Sequence, residues 1–392
     1  MKKICAVLAI LCLFTPLQAS PLTDSSVISL LTIAPGKELY ATFGHSAIRV
    51  KDEKQGLDLV FNYGTFDFNQ PDFYLNFLRG RLLYMLSVDY FTDFLEMYKY
   101  EKRSVAEDIL DLSPEEKQRI FEFLVFNARP ENKNYRYEFF FDNCATRVRD
   151  VFEKELNEKL IYHNQGFDTT KTLRQMLDLY VEHRPWTKFG FYLILGSPTD
   201  VKATPRMQAF LPDYLQKLMR KATVQRDGIE KPLIKKSLTL LQYPPCTFYN
   251  EFLTPKMTML LLLIIAILLS VAESALNKHF FLLDFILFFL AGLIGSFLLG
   301  MWIFTEHYSV PWNYNVLWAL PLFLPLSFLL ILPRRFKKIN IFWLSFAWIC
   351  QLILLTVKLI LQQPFHGAVY TIIIVLVIRA YLGTVYLKSS HE

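Results

Sequence analysis

Cysteine is scarce in this chain: 392 residues hold five. Cys5 and Cys12 fall in an N-terminal apolar run and Cys350 in a later one, so Cys144 and Cys246 alone stand in the polar part. Two thiols are too few for a disulfide scaffold; a single Cys144–Cys246 bridge stays open. No closely spaced pair of Cys and His residues occurs, so no metal site is expected. Ser46 lies next to His45 but outside any G-x-S-x-G nucleophile elbow. The formal net charge of +6 is small for this length and gives no reason to invoke nucleic acid. There is no internal repeat and no low-complexity segment.

Apolar residues, by contrast, are in excess, at 53%. That is more than an ordinary soluble protein carries. The excess is concentrated in two places. Lys2 and Lys3 precede an apolar run from Ile4 to Leu17, followed by Gln18, Ala19 and Ser20. This reads as a signal peptide, residues 1–19, with Ala19 the last residue removed. Leu11 before Cys12 excludes a lipobox. From residue 257 onward, five spans are expected near 257–273, 280–304, 315–333, 341–362 and 367–386, each close to the ~20 residues that cross a bilayer core. Arg334, Arg335, Lys337 and Lys338 form the strongest basic loop. The positive-inside rule puts that loop in the cytoplasm. Counting back leaves residues 20–256 exported and residues 257–392 as a multi-pass inner-membrane part with a cytoplasmic C-terminus.

The exported part reads as a mixed α+β domain. "VISLLTI" (27–33), "ELYATF" (38–43), "SAIRV" (46–50) and "LDLVFNY" (57–63) read as strands, the last two forming a hairpin. "PDFYLNFLRG" (71–80) predicts a short helix and "RLLYMLSVDY" (81–90) a strand. The aromatic richness of 71–86 suits a core more than a lipid-facing surface. Ser113-Pro114-Glu115-Glu116 is a helix start with a cap, a first-position proline and a capping-box glutamate, predicting a helix to Ala128. "YRYEFFF" (135–141) predicts a strand and Cys144–Leu156 a helix. Residues 165–256 look helical and irregular.

Cys144 therefore sits where a strand runs into a helix, in "FFFDNCATRV" (139–148). Asp142 and Asn143 are good caps and place the thiol in the first helical turn. The unpaired N–H groups and positive dipole end there favour a thiolate and a developing oxyanion. A buried packing cysteine has no need of this position, though packing remains the plain alternative. A nucleophile needs a base. Of His45, His163 and His183, the last two lie in polar, turn-like settings; His45 begins a strand after Gly44, which permits close backbone approach. A structural histidine is the plain alternative. Asn62 or Tyr63 on the neighbouring strand would orient the imidazole, and alternation lets only one of them face it.

"FGHSAIRV", "FNYGTFDF" and "DNCATRV", in that order, resemble the exported domain of the Lnb-type lipoprotein N-acyltransferases of Bacteroides and relatives. "TEHYSVPWNYNVLWALP" (305–321) resembles that family's extracytoplasmic loop and following span. The resemblance implies Cys144 as nucleophile and His45 as base. His first and Asn-Cys later also resembles the permuted papain-like fold of NlpC-like enzymes and lecithin:retinol acyltransferases. This chain departs from the latter in having Ala145-Thr146 after the thiol. The implied reaction moves an acyl chain from a membrane phospholipid through a Cys144 thioester to the α-amino group of a lipoprotein's N-terminal Cys. It calls for no cofactor. A phospholipase, a cell-wall cysteine peptidase or amidase, and a non-catalytic assembly factor are the rival readings.

In the membrane part, Asp284 and Arg379 fall in the inner halves of their spans and are expected to pair. Glu306, His307, Asn313 and His366 fall at the outer ends. They could line the acceptor path as membrane-face contributors; solvated loop residues are the plainer reading.

Overall fold

The computed structural model describes residues 21–67, 69–246, 252–357, 360–361 and 363–389; the expected leader lies outside these. In chain order the first elements are β1 (Val27–Ile33), β2 (His45–Asp52), β3 (Leu57–Thr65), α1 (Phe73–Arg79), β4 (Leu83–Tyr90), α2 (Phe91–Tyr100) and β5 (Val105–Leu110). α3 (Pro114–Asn127), β6 (Asn134–Arg136), α4 (Cys144–Leu156) and a two-residue β7 (Leu160–Ile161) follow. Then come α5 (Leu173–Val181), α6 (Pro185–Ile194), α7 (Pro205–Gln208), α8 (Pro212–Lys221), β8 (Thr223–Arg226), β9 (Ile229–Pro232) and β10 (Ile234–Leu241). One antiparallel sheet has the order β10-β5-β1-β2-β3-β4-β6, and β7-β8-β9 form a smaller one.

Strand alternation explains why both faces of the large sheet are covered. Leu30, Ile48, Val50, Phe61 and Tyr63 point to a core closed by α3, α4 and α8. Leu31, Ile33, Ala47 and Val60 point the other way, against Phe94 and Tyr98 of α2. The helix starts follow their local signals. Ser113 and Glu116 make the expected capping box at α3.

Three segments differ from the sequence expectation. Residues 38–43 hold only a 3-10 turn, Leu39–Ala41, not a strand. The strand expected at 135–141 stops at Arg136. Beyond it the Glu138 carboxylate accepts the N–H groups of Phe140 and Phe141, both at 2.8 Å, and folds the chain back toward Cys144. Residues 165–256 contain β8, β9 and β10 as well as helices.

The C-terminal part contains α9 (Pro255–Leu276), α10 (Phe281–Phe304), a short α11 (Phe323–Ser327), α12 (Lys337–Val357) and α13 (Gly367–Ser389). Among the described residues four helices, α9, α10, α12 and α13, are long and apolar enough to cross a membrane. The expected span at 315–333 is not one continuous helix. It is a 3-10 turn (Tyr314–Leu317), α11 and a second 3-10 turn (Phe328–Ile331). Pro321 and Pro325 lie in it, and proline removes a backbone donor and crowds the preceding turn. The irregular backbone is buried against α10, where it needs a residue without a side chain. A Cβ on Gly295 would lie 1.5 Å from the Ala319 carbonyl oxygen.

Asp284 and Arg379 do meet, at 2.6 Å. They belong to a larger buried cluster. Arg379 also bonds Glu273 (2.6 Å) and Ser270 (3.0 Å), and His279 lies 2.5 Å from Asp284.

The two parts are bolted together by the loop after α10. Glu306 accepts from Arg81 at 2.7 Å and also pairs with Arg136. Its backbone N–H donates to the Arg79 carbonyl at 2.9 Å. Asn313, fully buried, donates to the Leu193 and Ile194 carbonyls at 2.8 and 2.9 Å. Its own Oδ1 accepts from Asn315 and Gln363, so one amide ties α6 to two membrane loops.

Candidate active site

Cys144 is the first residue of α4, and the turn before it is fully committed. Asn143 caps the helix: its Oδ1 accepts the Thr146 N–H at 2.9 Å, while Thr146 Oγ1 accepts the Asn143 N–H at 2.7 Å. The Asn143 amide nitrogen donates to the Phe139 and Phe210 carbonyls, both at 2.8 Å. Asp142 does not cap the helix. It pairs with Arg147, whose guanidinium lies over the Tyr135 ring. Neither side chain is left to meet a substrate oxyanion; both fix where the thiol stands.

His45 is the first residue of β2, against which the Cys144 helix packs, and each of the two side chains shifts the other's titration. Its Nε2 lies 2.5 Å from Asn62 Oδ1 on β3. An amide oxygen only accepts, so Nε2 carries a proton and Nδ1 is left for the thiol. Asn62 is in turn set by its amide nitrogen, which donates to Asp89 at 3.4 Å. Asp89 also accepts from Ser87 at 3.0 Å. Tyr63, the next residue on β3, faces the opposite side of the sheet and accepts from Asn127 at 3.1 Å. Burial pushes its phenol up to about 12. Strand alternation thus decides between the two neighbours, and Asn62 is the one that meets the ring.

Burial alone would raise the Cys144 thiol, but the charge and hydrogen bond of His45 lower it more, helped by the N–H groups of Ser46 and Ala145. The net direction is down. Burial alone would lower His45, but the charge and hydrogen bond of Cys144, with the bond to Asn62, raise it; Arg103 opposes them. The net direction is up. Both shifts favour a thiolate–imidazolium pair. A helix N-terminus is worth up to ~2 kcal/mol at a partly buried site and one pKa unit ~1.4 kcal/mol, so the dipole alone moves a thiol by at most about 1.5 units. The imidazole contact is the larger lowering cause. The Ser46 N–H is available because the β2–β3 ladder starts only at Ile48–Phe61; nearer the site the strands part.

Gly64, inside "FNYG", carries no site signal of its own in the sequence. At φ +90° it sits in a register break of the β3–β4 ladder. A Cβ there would stand 3.2 Å from the Cys144 Cβ. Asp89 carries no sequence signal beyond being a polar residue on a strand. Tyr84 and Tyr137 stack at 4.1 Å, and burial, with a smaller contribution from the Cys144 charge, raises both phenols.

The other expected residues stand apart from this pair. His307 bonds the Phe77 and Leu78 carbonyls, both at 3.1 Å, and burial pulls its pKa down. His366 packs against Phe189 and Tyr192. His163 bonds Thr223. Cys246 is unpaired and reaches the Pro35 carbonyl, so the Cys144–Cys246 bridge does not form. A surface cleft lined by Phe123, Asn127, Arg147 and Lys154 lies beside α4 but includes neither Cys144 nor His45. Among the described residues, no group of three His, Cys, Asp or Glu side chains is placed to hold a metal ion.

Fold and site together define a two-part membrane protein, in which an α+β domain that brings His45 and Cys144 to neighbouring elements is fastened to a helical part long and apolar enough to cross a bilayer. Residues 17–177 match the family model described as the Lnb N-terminal periplasmic domain, and residues 247–390 the one described as the Lnb transmembrane domain. The chain belongs to the Lnb family, with a periplasmic N-terminal domain and a membrane-associated role in lipoprotein processing. No curated protein and no solved structure matches it.

Proposed function

We propose that this protein is a phospholipid-dependent N-acyltransferase acting on diacylglyceryl lipoproteins. The reading rests above all on one observation: the Cys144–His45–Asn62 arrangement sits in a domain bolted to the ends of apolar helices. Both substrates are lipid-anchored. Fixing the thiol near the bilayer surface turns a three-dimensional search into a local one. A cell-wall peptidase gains nothing from this.

In the first half-reaction the Cys144 thiolate attacks an ester carbonyl of a phospholipid. The carbonyl electrons move to oxygen, beside the Ser46 and Ala145 N–H groups. The tetrahedral adduct collapses, the C–O ester bond breaks, and the His45 imidazolium protonates the departing lysophospholipid. A thioester remains. In the second half-reaction the neutral α-amino group of the lipoprotein attacks that thioester. An α-amino group titrates near ~8, so a useful fraction is neutral at pH 7. His45 takes the amine proton, the C–S bond breaks, and the amide and the thiolate are released.

The same reading takes residues 20–256 as the periplasmic catalytic domain with a permuted papain-like core, the Cys144 helix lying on the sheet that supplies His45 and Asn62. It takes residues 257–392 as five passes through the inner membrane with a cytoplasmic C-terminus. The broken segment 314–331 counts as a pass because it leads from the docked end of α10 to the first residue of α12. α12 then returns to Gln363, beside Asn313.

The test is acyl transfer in proteoliposomes, using a phospholipid with a labelled acyl chain and a diacylglyceryl lipopeptide with a free N-terminus. Label on the peptide amine, absent with Cys144→Ser, supports the proposal. Label released only as fatty acid makes the protein a phospholipase. No turnover of lipid overturns the reading.

A further inference from the structure

α1 is a helix with its apolar side chains turned outward. Tyr74 is 80% exposed and Phe77 57%, with Leu75 and Leu78 each near two-fifths. A soluble surface seldom shows such a cluster. The core expected for this stretch holds beyond the helix, for Leu82, Leu86 and the partly buried Tyr84, and not for α1.

Its neighbours say what covers it. The Glu306 N–H donates to the Arg79 carbonyl and His307 bonds the Phe77 and Leu78 carbonyls, so the back of α1 is clamped to the loop that leaves α10 at Phe304. That loop also exposes Tyr308 and Trp312, with Trp312 against Trp302 of α10 at 5.1 Å. Exposed Trp and Tyr at the end of an apolar helix mark the level of a membrane–water interface. α1 stands at that level.

A row of rings runs inward from α1. Tyr74 meets Phe73 at 5.3 Å, Phe73 meets Phe66 at 6.2 Å, Phe66 meets Tyr84 at 5.1 Å, and Tyr84 stacks on Tyr137. Phe66, in the middle of the row, lies two residues beyond Gly64, where a Cβ would stand 3.2 Å from the Cys144 Cβ.

We propose that α1 docks into the bilayer leaflet at the Phe304 end of α10, and that the aromatic row behind it guides a lipid acyl chain to Cys144. The guiding step rests on the acyltransferase reading; the docking does not. The occupant is lipid because the surface continues the apolar face of α10 and its aromatic rim.

Leu75→Cys and Phe77→Cys are each made in a chain whose other cysteines are serine, spin-labelled, and reconstituted in phospholipid vesicles. Collisions with oxygen are compared with collisions with a water-soluble nickel chelate. Phe297→Cys on α10 is the lipid reference. Lys54→Cys is the water reference, at the β2–β3 turn on the opposite end of the sheet from His45. The oxygen-to-nickel ratio at both α1 sites is expected nearer the Phe297 value, several-fold above that at Lys54. Ratios nearer the Lys54 value overturn the docking. The readout needs no turnover, so it stands or falls separately from acyl transfer.

Discussion

His45 Nε2 and Asn62 Oδ1 lie 2.5 Å apart across two neighbouring strands, and this contact decides which imidazole nitrogen faces Cys144. Asn62 is a positioning residue by this account. Asn62→Leu removes the acceptor and lets the ring turn. Acyl transfer is expected to fall by about 10–100-fold, below the ~10²–10⁴-fold that a proton-transfer group itself supplies. The alkylation pH profile of Cys144 should move upward in the same variant. Asn62→Asp keeps an acceptor for Nε2–H and should retain most of the thiolate character. An unchanged profile in Asn62→Leu would remove Asn62 from the site.

The paired shifts set a pH window. Cys144 lies below its ordinary 9.0 and His45 above its ordinary 6.5. As pH rises, the thiol gives up its proton at a lower pH than a free thiol, while the imidazole keeps its proton beyond 6.5. Both shifts widen the pH range in which the thiolate–imidazolium form is populated. Iodoacetamide labelling of Cys144 should therefore rise with a midpoint below 9.0. In His45→Ala the imidazole is gone and burial remains, so the midpoint should move above that of the parent. Equal midpoints in the two proteins would mean that the pair is not coupled.

Gly64→Ala places a methyl group 3.2 Å from the Cys144 Cβ, at a φ of +90° that side chains avoid. Strain of this kind costs ~1–3 kcal/mol. Thermal unfolding of the exported domain should shift down and labelling of Cys144 should change rate. Gly56→Ala, also at positive φ but with open space around it, is the control that reports backbone strain alone.

Arg379 faces Glu273 and Asp284 together, so removing it leaves two buried carboxylates. Breaking a buried pair in this way costs ~3–5 kcal/mol. Arg379→Met should lose most monodisperse protein after detergent extraction. Asp284→Asn should lose less, because Glu273 still holds the guanidinium. A simple swap of Asp284 and Arg379 is not expected to restore the protein fully, since Glu273 and His279 stay in place.

What was legible in the sequence was local. The α4 start at Cys144 follows from its asparagine cap, and α3 from Ser113-Pro114-Glu115-Glu116. β1 and the β2–β3 hairpin follow from alternation. What was not legible depends on distant partners. Glu138 ends a strand-like run by capturing its own backbone. β10 is half exposed with two register shifts, so its alternation is weak. Two prolines break an apolar stretch that hydropathy alone reads as one helix. The choice between Asn62 and Tyr63 needed only the face on which His45 lies. The outward turn of α1 needed knowledge of the loop at Glu306, more than two hundred residues away.

The most direct measurement is the mass of the enzyme itself. Purified protein is incubated with phospholipid and no acceptor, then digested and weighed. The account predicts one acyl group on the peptide bearing Cys144, labile to hydroxylamine. A lipopeptide with a free N-terminus should discharge it, and one with a blocked N-terminus should not. An unmodified Cys144, or an adduct that water removes as fast as the free lipopeptide does, would contradict it.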